Sequence, residues 1–161
     1  MSNIRNSDEA LEKIKTHFHF LFDKGFLVAD KAFENQSFGN WIVVLYSKML
    51  LVRFIQDRGS IHVVVGPPWE STTTDSLGHF LELQLLIDYL NNKQLTVLTP
   101  VEPRDVDDQL SKLSSLLIAN FEKIISFLNT EDYLQKEDEI KALRIIILKQ
   151  TYPYIKFPDA K

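Results

Sequence analysis

Cysteine is absent from the chain. That absence removes disulfides, thiol nucleophiles and thiolate-ligated metals together, and it fits a reducing cytoplasm. Glycine is scarce. Gly25, Gly39, Gly59, Gly66 and Gly78 compose neither a phosphate-binding loop nor a dinucleotide fingerprint. No Gly-x-Ser-x-Gly elbow and no His-Glu-x-x-His occurs, so the common hydrolase and metalloprotease signatures are missing. Histidine never recurs at ligand spacing: His17 and His19 stand two apart and face different sides of a helix, while His62 and His79 are isolated. Long apolar runs are lacking too. The longest is Trp41–Tyr46, well below the roughly 20 residues that span a bilayer, and Met1–Glu9 has no apolar core of a secretory signal. A basic excess is missing as well: the net charge is -4, which argues against non-specific nucleic-acid binding. We expect a cytoplasmic protein with no cofactor, no metal, no nucleic-acid partner and no membrane span.

What is present describes an ordinary globular chain. It has 161 residues, 45% hydrophobic and 25% charged, enough for one domain with a real core. The clearest local signal is a hairpin. Leu50–Gln56 and Ile61–Val65 are β-rich runs on either side of Asp57-Arg58-Gly59. A two-residue loop at Arg58-Gly59 pairs Phe54 with Val63 and Val52 with Val65, leaving Asp57, Arg53 and His62 for the other face. A bulged turn at Gly59 pairs Phe54 with His62 and mixes the faces. The Asp-x-Gly order suits the bulge, whereas the face pattern suits the two-residue loop, and the face pattern is preferred here.

The rest of the chain reads as follows. Ser7 caps a helix over about residues 8–24, with Leu11, Ile14, Phe18, Leu21 and Phe22 at helical spacing and Gly25 beyond it. Strands follow at Phe26–Phe33, Trp41–Lys48, Leu50–Gln56 and Ile61–Val65, joined by links short enough for antiparallel neighbours. The unbroken apolar centre of the second strand suggests burial on both faces. Gly66-Pro67-Pro68 stops the sheet. Asp75 or Ser76 then caps a helix over about 77–90, and Leu95–Leu98 reads as a fifth strand or an extended link. Thr99-Pro100-Val101-Glu102 has the order of a capping box, and Pro103 makes Arg104 an equal start for the next helix. That helix runs over about 104–128 and another over about 136–150, before Pro153 and Pro158. The expected fold is α+β: an N-terminal helix, a four-stranded antiparallel meander, and three helices packed mainly on one sheet face.

Three surfaces are candidates for partner binding. Arg53, Asp57, Arg58 and His62 can gather at one end of the sheet as a polar patch; equally, Asp57 caps the turn and Arg53 pairs across strands. Trp69, on the rigid Pro67-Pro68-Trp69 loop, either anchors an interface or folds back over the sheet edge. Glu102–Lys141 holds ten acids and five bases, a local net of -5 that leaves +1 on the rest of the chain. Asp107, Asp108, Asp138 and Glu139 in that stretch suit an acidic docking face for a basic partner, although helix dipoles alone also favour acids near helix starts.

The run Phe38-Gly39-Asn40-Trp41-Ile42-Val43-Val44-Leu45 followed by Val52–Gly59 resembles a pattern in small uncharacterised bacterial proteins, some of them similar to immunity proteins encoded beside toxins. The resemblance covers about residues 38–65 and implies a cytoplasmic protein that works by binding another protein. The reading preferred is therefore a non-enzymatic protein-binding module of the immunity-inhibitor type. The alternative is a small-molecule-binding domain or an enzyme with its site between sheet and helices.

The hairpin makes the first prediction. Either turn geometry demands a positive φ at Gly59. Gly59→Val should lower stability by more than about 1 kcal/mol in urea melts, and an unchanged midpoint would contradict it.

Overall fold

The computed structural model describes residues 4–36, 39–75, 78–93, 95 and 105–156. Its elements are α1 (Ser7–His17), α2 (His19–Asp23), β1 (Leu27–Glu34), β2 (Asn40–Tyr46), β3 (Leu51–Asp57), β4 (Ser60–Gly66), β5 (Leu81–Glu82), α3 (Leu83–Leu90), α4 (Val106–Leu128) and α5 (Tyr133–Thr151). The fold is α+β, with an antiparallel sheet in the order β1-β2-β3-β4-β5. No helix among the described residues is long and apolar enough to cross a membrane.

The hairpin adopts the two-residue loop. Phe54 faces Val63, Val52 faces Val65, and Asp57 faces Ser60. Arg58 and Gly59 take φ values of 49° and 87°, the pair of left-handed residues that a type I′ turn requires. Asn40 supports the non-glycine member: its Oδ1 accepts from the Arg58 backbone N–H at 2.9 Å while its amide donates to Asp57 at 3.1 Å. A tertiary contact therefore favours the conformation that Asp-x-Gly alone does not.

One sheet face is the core. Trp41, Val43, Leu45, Val52, Phe54, Val63, Val65 and Leu81 are buried. Phe18 meets Phe54 edge-on at 4.7 Å between ring centres. α4 lies across this face and is tied at both ends. Near its start, the Gln109 side chain accepts from the Ile61 N–H and donates to the Gly59 carbonyl, both at 2.9 Å. Past its end, Asn129 donates to the Met49 carbonyl at 3.0 Å. Gln109 to Asn129 is about 30 Å at 1.5 Å per residue, so one helix bridges the β3–β4 turn and the opposite, β2–β3 end of the sheet.

Several expectations are corrected. The sheet has a fifth strand, Leu81–Glu82, which pairs with Val65 and Val64. The alternative placement at 95–98 lies outside the described residues beyond Leu95, which is not in a strand. The first helix is two helices, broken at Phe18. The Ser114 hydroxyl donates to the His17 carbonyl at 2.7 Å, and the Leu21 N–H turns to the Phe18 carbonyl instead. Periodicity cannot see that tertiary bond. The first cap is Asn6 rather than Ser7: its side chain accepts from the Glu9 N–H at 2.9 Å. The helix expected from residue 77 begins at Leu83, capped by Glu82 through the Leu85 N–H at 2.9 Å; Asp75 lies in a turn, and Ser76 and Leu77 lie outside the described residues. The second strand ends at Tyr46; Trp41, Val43, Val44 and Leu45 are buried, but Ile42 is half-buried and Tyr46 exposed, so burial on both faces holds only at its centre. The last helix starts at Tyr133 rather than Lys136. The helix expected from Arg104 begins at Val106, and the Thr99–Glu102 capping box lies outside the described residues.

Phe54 is fully buried. Phe54→Ala should cost about 3–5 kcal/mol in denaturant melts, through lost transfer energy and the cavity left behind. A cost below about 1 kcal/mol would contradict this packing.

Candidate functional site

The register that points Phe54 inward points Arg53 outward. Arg53 is nevertheless only 5% exposed, because the described segments 67–75 and 78–80 cover the second face of the sheet as a strap. The strap leaves β4 at Gly66 and turns at Pro67, whose carbonyl accepts from the Glu70 N–H at 3.1 Å. It reaches β1, where the Thr74 N–H donates to Asp30 Oδ2 at 2.9 Å. On the way, the Thr73 carbonyl accepts from Arg53 Nη2 at 2.9 Å. It returns with the Phe80 ring over the Arg53 guanidinium, 4.2 Å from ring centre to Cζ. A buried guanidinium needs hydrogen-bond partners and tolerates an aromatic face. Burial lowers the basicity of Arg53, while the charges of Glu70 and Asp75 act in the opposite sense. Gly66 permits the crossing: a Cβ there would lie 2.8 Å from the Phe80 ring.

Glu70 closes the base of the strap. Its carboxylate accepts from the Ser71 N–H at 2.6 Å and from the His79 N–H at 2.8 Å. Burial pushes its pKa up, but these two donors and the charges of His79 and Arg53 outweigh burial, so it titrates below the ordinary value. Gly78 leaves room for this carboxylate, since a Cβ there would lie 2.6 Å from Glu70 Cδ.

Trp69 stands at the turn of the strap, 60% exposed. Its ring lies 5.6 Å from that of His79 and 6.5 Å from that of Tyr133. Both neighbours are fixed from below. His79 Nδ1 lies 2.8 Å from Glu137 Oε2, and the Glu137 side chain is 1% exposed. Lys141, one turn along α5, pairs with the other carboxylate oxygen. The Tyr133 hydroxyl donates to the His79 carbonyl at 2.8 Å. Burial, with the charges of Glu137 and Glu70, raises the phenol pKa far above its ordinary value, so it stays a neutral donor. The buried carboxylate is thus matched by an imidazole and an ammonium, and the imidazole is held against the indole. This is a fixed aromatic platform with a charged base. Among the described residues, no three His, Cys, Asp or Glu side chains are grouped to hold a metal.

The other candidate residues separate. Arg53 and His62 share the second sheet face in neighbouring rows, opposite Val64 and Ile55. Asp57 and Arg58 lie at the hairpin tip, 3.9 Å apart, about 13 Å along the strand from Arg53. The expected four-residue cluster therefore does not assemble. Asp107 links α1 to α4: Lys13 Nζ lies 2.5 Å from Oδ2, and His17 Nε2 lies 2.8 Å from Oδ1. Those two hydrogen bonds lower its pKa. Asp108 beside it is exposed, as are Asp138 and Glu139 on the second turn of α5. The four acids thus fall into two pairs, near opposite ends of α4.

Glu70, His79, Tyr133 and Glu137 escaped sequence reasoning. Only the Glu137–Lys141 pair, four apart on a helix, carries a local signal; the rest is joined by the strap meeting α5. Compared with protein-family models, curated proteins and solved structures, the chain matches none.

Glu70 supplies the third prediction. A carboxylate whose folded pKa is depressed adds stability above its unfolded value, and that stability is lost as pH falls through the folded value. Glu70→Ala should cost about 1–3 kcal/mol at pH 7, because two backbone N–H groups lose a charged acceptor. In urea melts the gap to the parent protein should narrow as the pH falls below the ordinary value of 4.5. A gap that is constant with pH would show that the carboxylate charge does not hold the strap.

Proposed function

We propose that this protein is a non-enzymatic protein-binding module whose partner docks on the Trp69 platform. The observation that carries the reading is one exposed indole on an immobilised base. An indole left 60% exposed is available as an interface anchor. Here Pro67 and Pro68, the Glu70 hydrogen bonds and the His79–Glu137 pair hold it in place. Aromatic anchors of this kind contribute most to binding when little freedom remains to be lost on contact.

The partner is read as a protein with basic groups around its contact. Asp138 and Glu139 lie within about 9 Å of Tyr133 along the helix axis and are exposed. Such carboxylates would speed association with a basic partner at low salt. The resemblance of residues 38–65 supplies the class: an immunity-type inhibitor of a bacterial toxin, acting in the cytoplasm. The space between sheet and α4 is filled by Phe18, Phe54, Leu110, Leu117 and Ile124, all fully buried. That packing favours a surface reading over a small-molecule or catalytic site between sheet and helices.

The test is capture of the partner from the native host, followed by binding measurements on Trp69→Ala. Affinity should fall by roughly 30-fold or more, the signature of an interface hot spot, while stability in urea changes by less than about 1 kcal/mol. In Trp41→Phe, the remaining indole should lose its accessibility to acrylamide when the partner binds. Unchanged affinity of Trp69→Ala would refute the platform.

A further inference from the structure

Next to Phe127, which packs on Tyr133, the chain leaves a trough between α3, α4 and α5. Its two adjoining hollows have volumes of about 460 and 520 Å³. Leu90, Phe127 and Lys136 line both. Tyr89 and Leu95 extend the apolar floor on one side, and Leu143 of α5, 41% exposed, extends it on another. The rim is mainly cationic. Lys93, Lys123 and Lys136 stand around it with Glu122. Lys136 is shared with Asp132 at 3.0 Å. Lys123 donates to the neutral Asn91 side chain at 2.9 Å. Among the described residues, no acid pairs with Lys93 or Lys123. Cations without acid partners around an apolar floor stand out on a chain of net charge -4.

We propose that this trough is a second docking surface, and that it takes an amphipathic helix with acidic flanks from a partner protein. The described walls come from α3, α4 and α5 and from the links that follow α3 and α4, and none of these lining residues is in a strand, so among the described residues the trough offers no strand edge to which an extended peptide could add hydrogen bonds. The hollows are shallow and open, whereas sites for small molecules enclose most of their ligand. A helix laid into the trough buries an apolar stripe on Leu90, Phe127 and Leu143 and brings its flanking carboxylates to Lys93 and Lys123. This proposal does not rest on the Trp69 platform, and different residues carry it.

The experiment is selection of displayed peptides on the intact protein. The probe is a helical library of about four turns, with leucine at i, i+3, i+4 and i+7 and the flanking positions drawn equally from Glu, Lys and Gln. Glu should be enriched at the flanks. The selected peptide should lose about tenfold or more in affinity for the Lys93→Glu/Lys123→Glu double variant. Both lysines are exposed, and a circular dichroism melt confirms that the variant is folded. Trp69→Ala should bind the peptide as the parent protein does. Flanks with no bias or with Lys enriched would overturn the proposal, as would equal binding to the double variant. A dimer in sedimentation that the double variant abolishes would overturn it in favour of a second copy of this chain. Displacement of the peptides by saturating dodecanoate would overturn it in favour of a small amphiphile.

Discussion

The pairing of β3 with β4 is the constraint on which the rest depends. A strand alternates its faces with a period of two, so a one-residue slip exchanges them completely. With Phe54 opposite Val63, the phenyl ring enters the core and meets Phe18. The same register places Arg53 on the second face, where a guanidinium against a sheet needs both acceptors and cover. The strap supplies them through the Thr73 carbonyl and the Phe80 ring. Trp69 is presented where it is because the strap that carries it is anchored over Arg53 and on Asp30. A two-residue turn and an exposed indole are thus linked through one buried side chain.

α4 and α5 divide the helical work unequally. α4 buries Leu110, Leu117, Phe121, Ile124 and Leu128 and is tied to both ends of the sheet. α5 buries only Tyr133, Glu137 and Ile140, all in its first half. Its second half carries Leu143, Ile145, Ile146, Ile147 and Leu148 around the whole circumference, and Leu143 and Ile146 remain exposed. A helix apolar on every side is ordinarily enclosed. The platform borders the first half of this helix, and the trough borders both halves through Lys136 and Leu143, so the protein's candidate contacts with other molecules concentrate on its least buried helix.

Much of the fold was legible because it rests on short-range rules. Periodicity found α4 to within two residues of its start, and alternation found the faces of the hairpin. The misses have a common cause. The break at Phe18 follows from the Ser114 hydroxyl taking the His17 carbonyl. The late start of α3 follows from Phe80 being used in the strap and Leu81–Glu82 in the sheet. In each case a residue distant in sequence claimed a group that local reasoning had assigned to a helix. Asp107 shows the same limit for charge: composition placed it on an acidic surface, yet its carboxylate ties α1 to α4 through Lys13 and His17.

For the site, the chain by itself determined the anchor and not its setting. Pro67-Pro68 rules out a central strand and forces a loop, so Trp69 was visible as a candidate. Whether that indole turned inward or outward was not encoded locally, because both outcomes satisfy the same dihedral preferences. Tertiary structure decided it by occupying the space beneath. Glu70 binds the backbone of Ser71 and His79, and Glu137 and Tyr133 arrive from a helix more than fifty residues downstream to fix His79. Hydrogen bonds and buried charges between distant segments depend on where the segments meet. Only the assembled sheet and the packed helices set that meeting point.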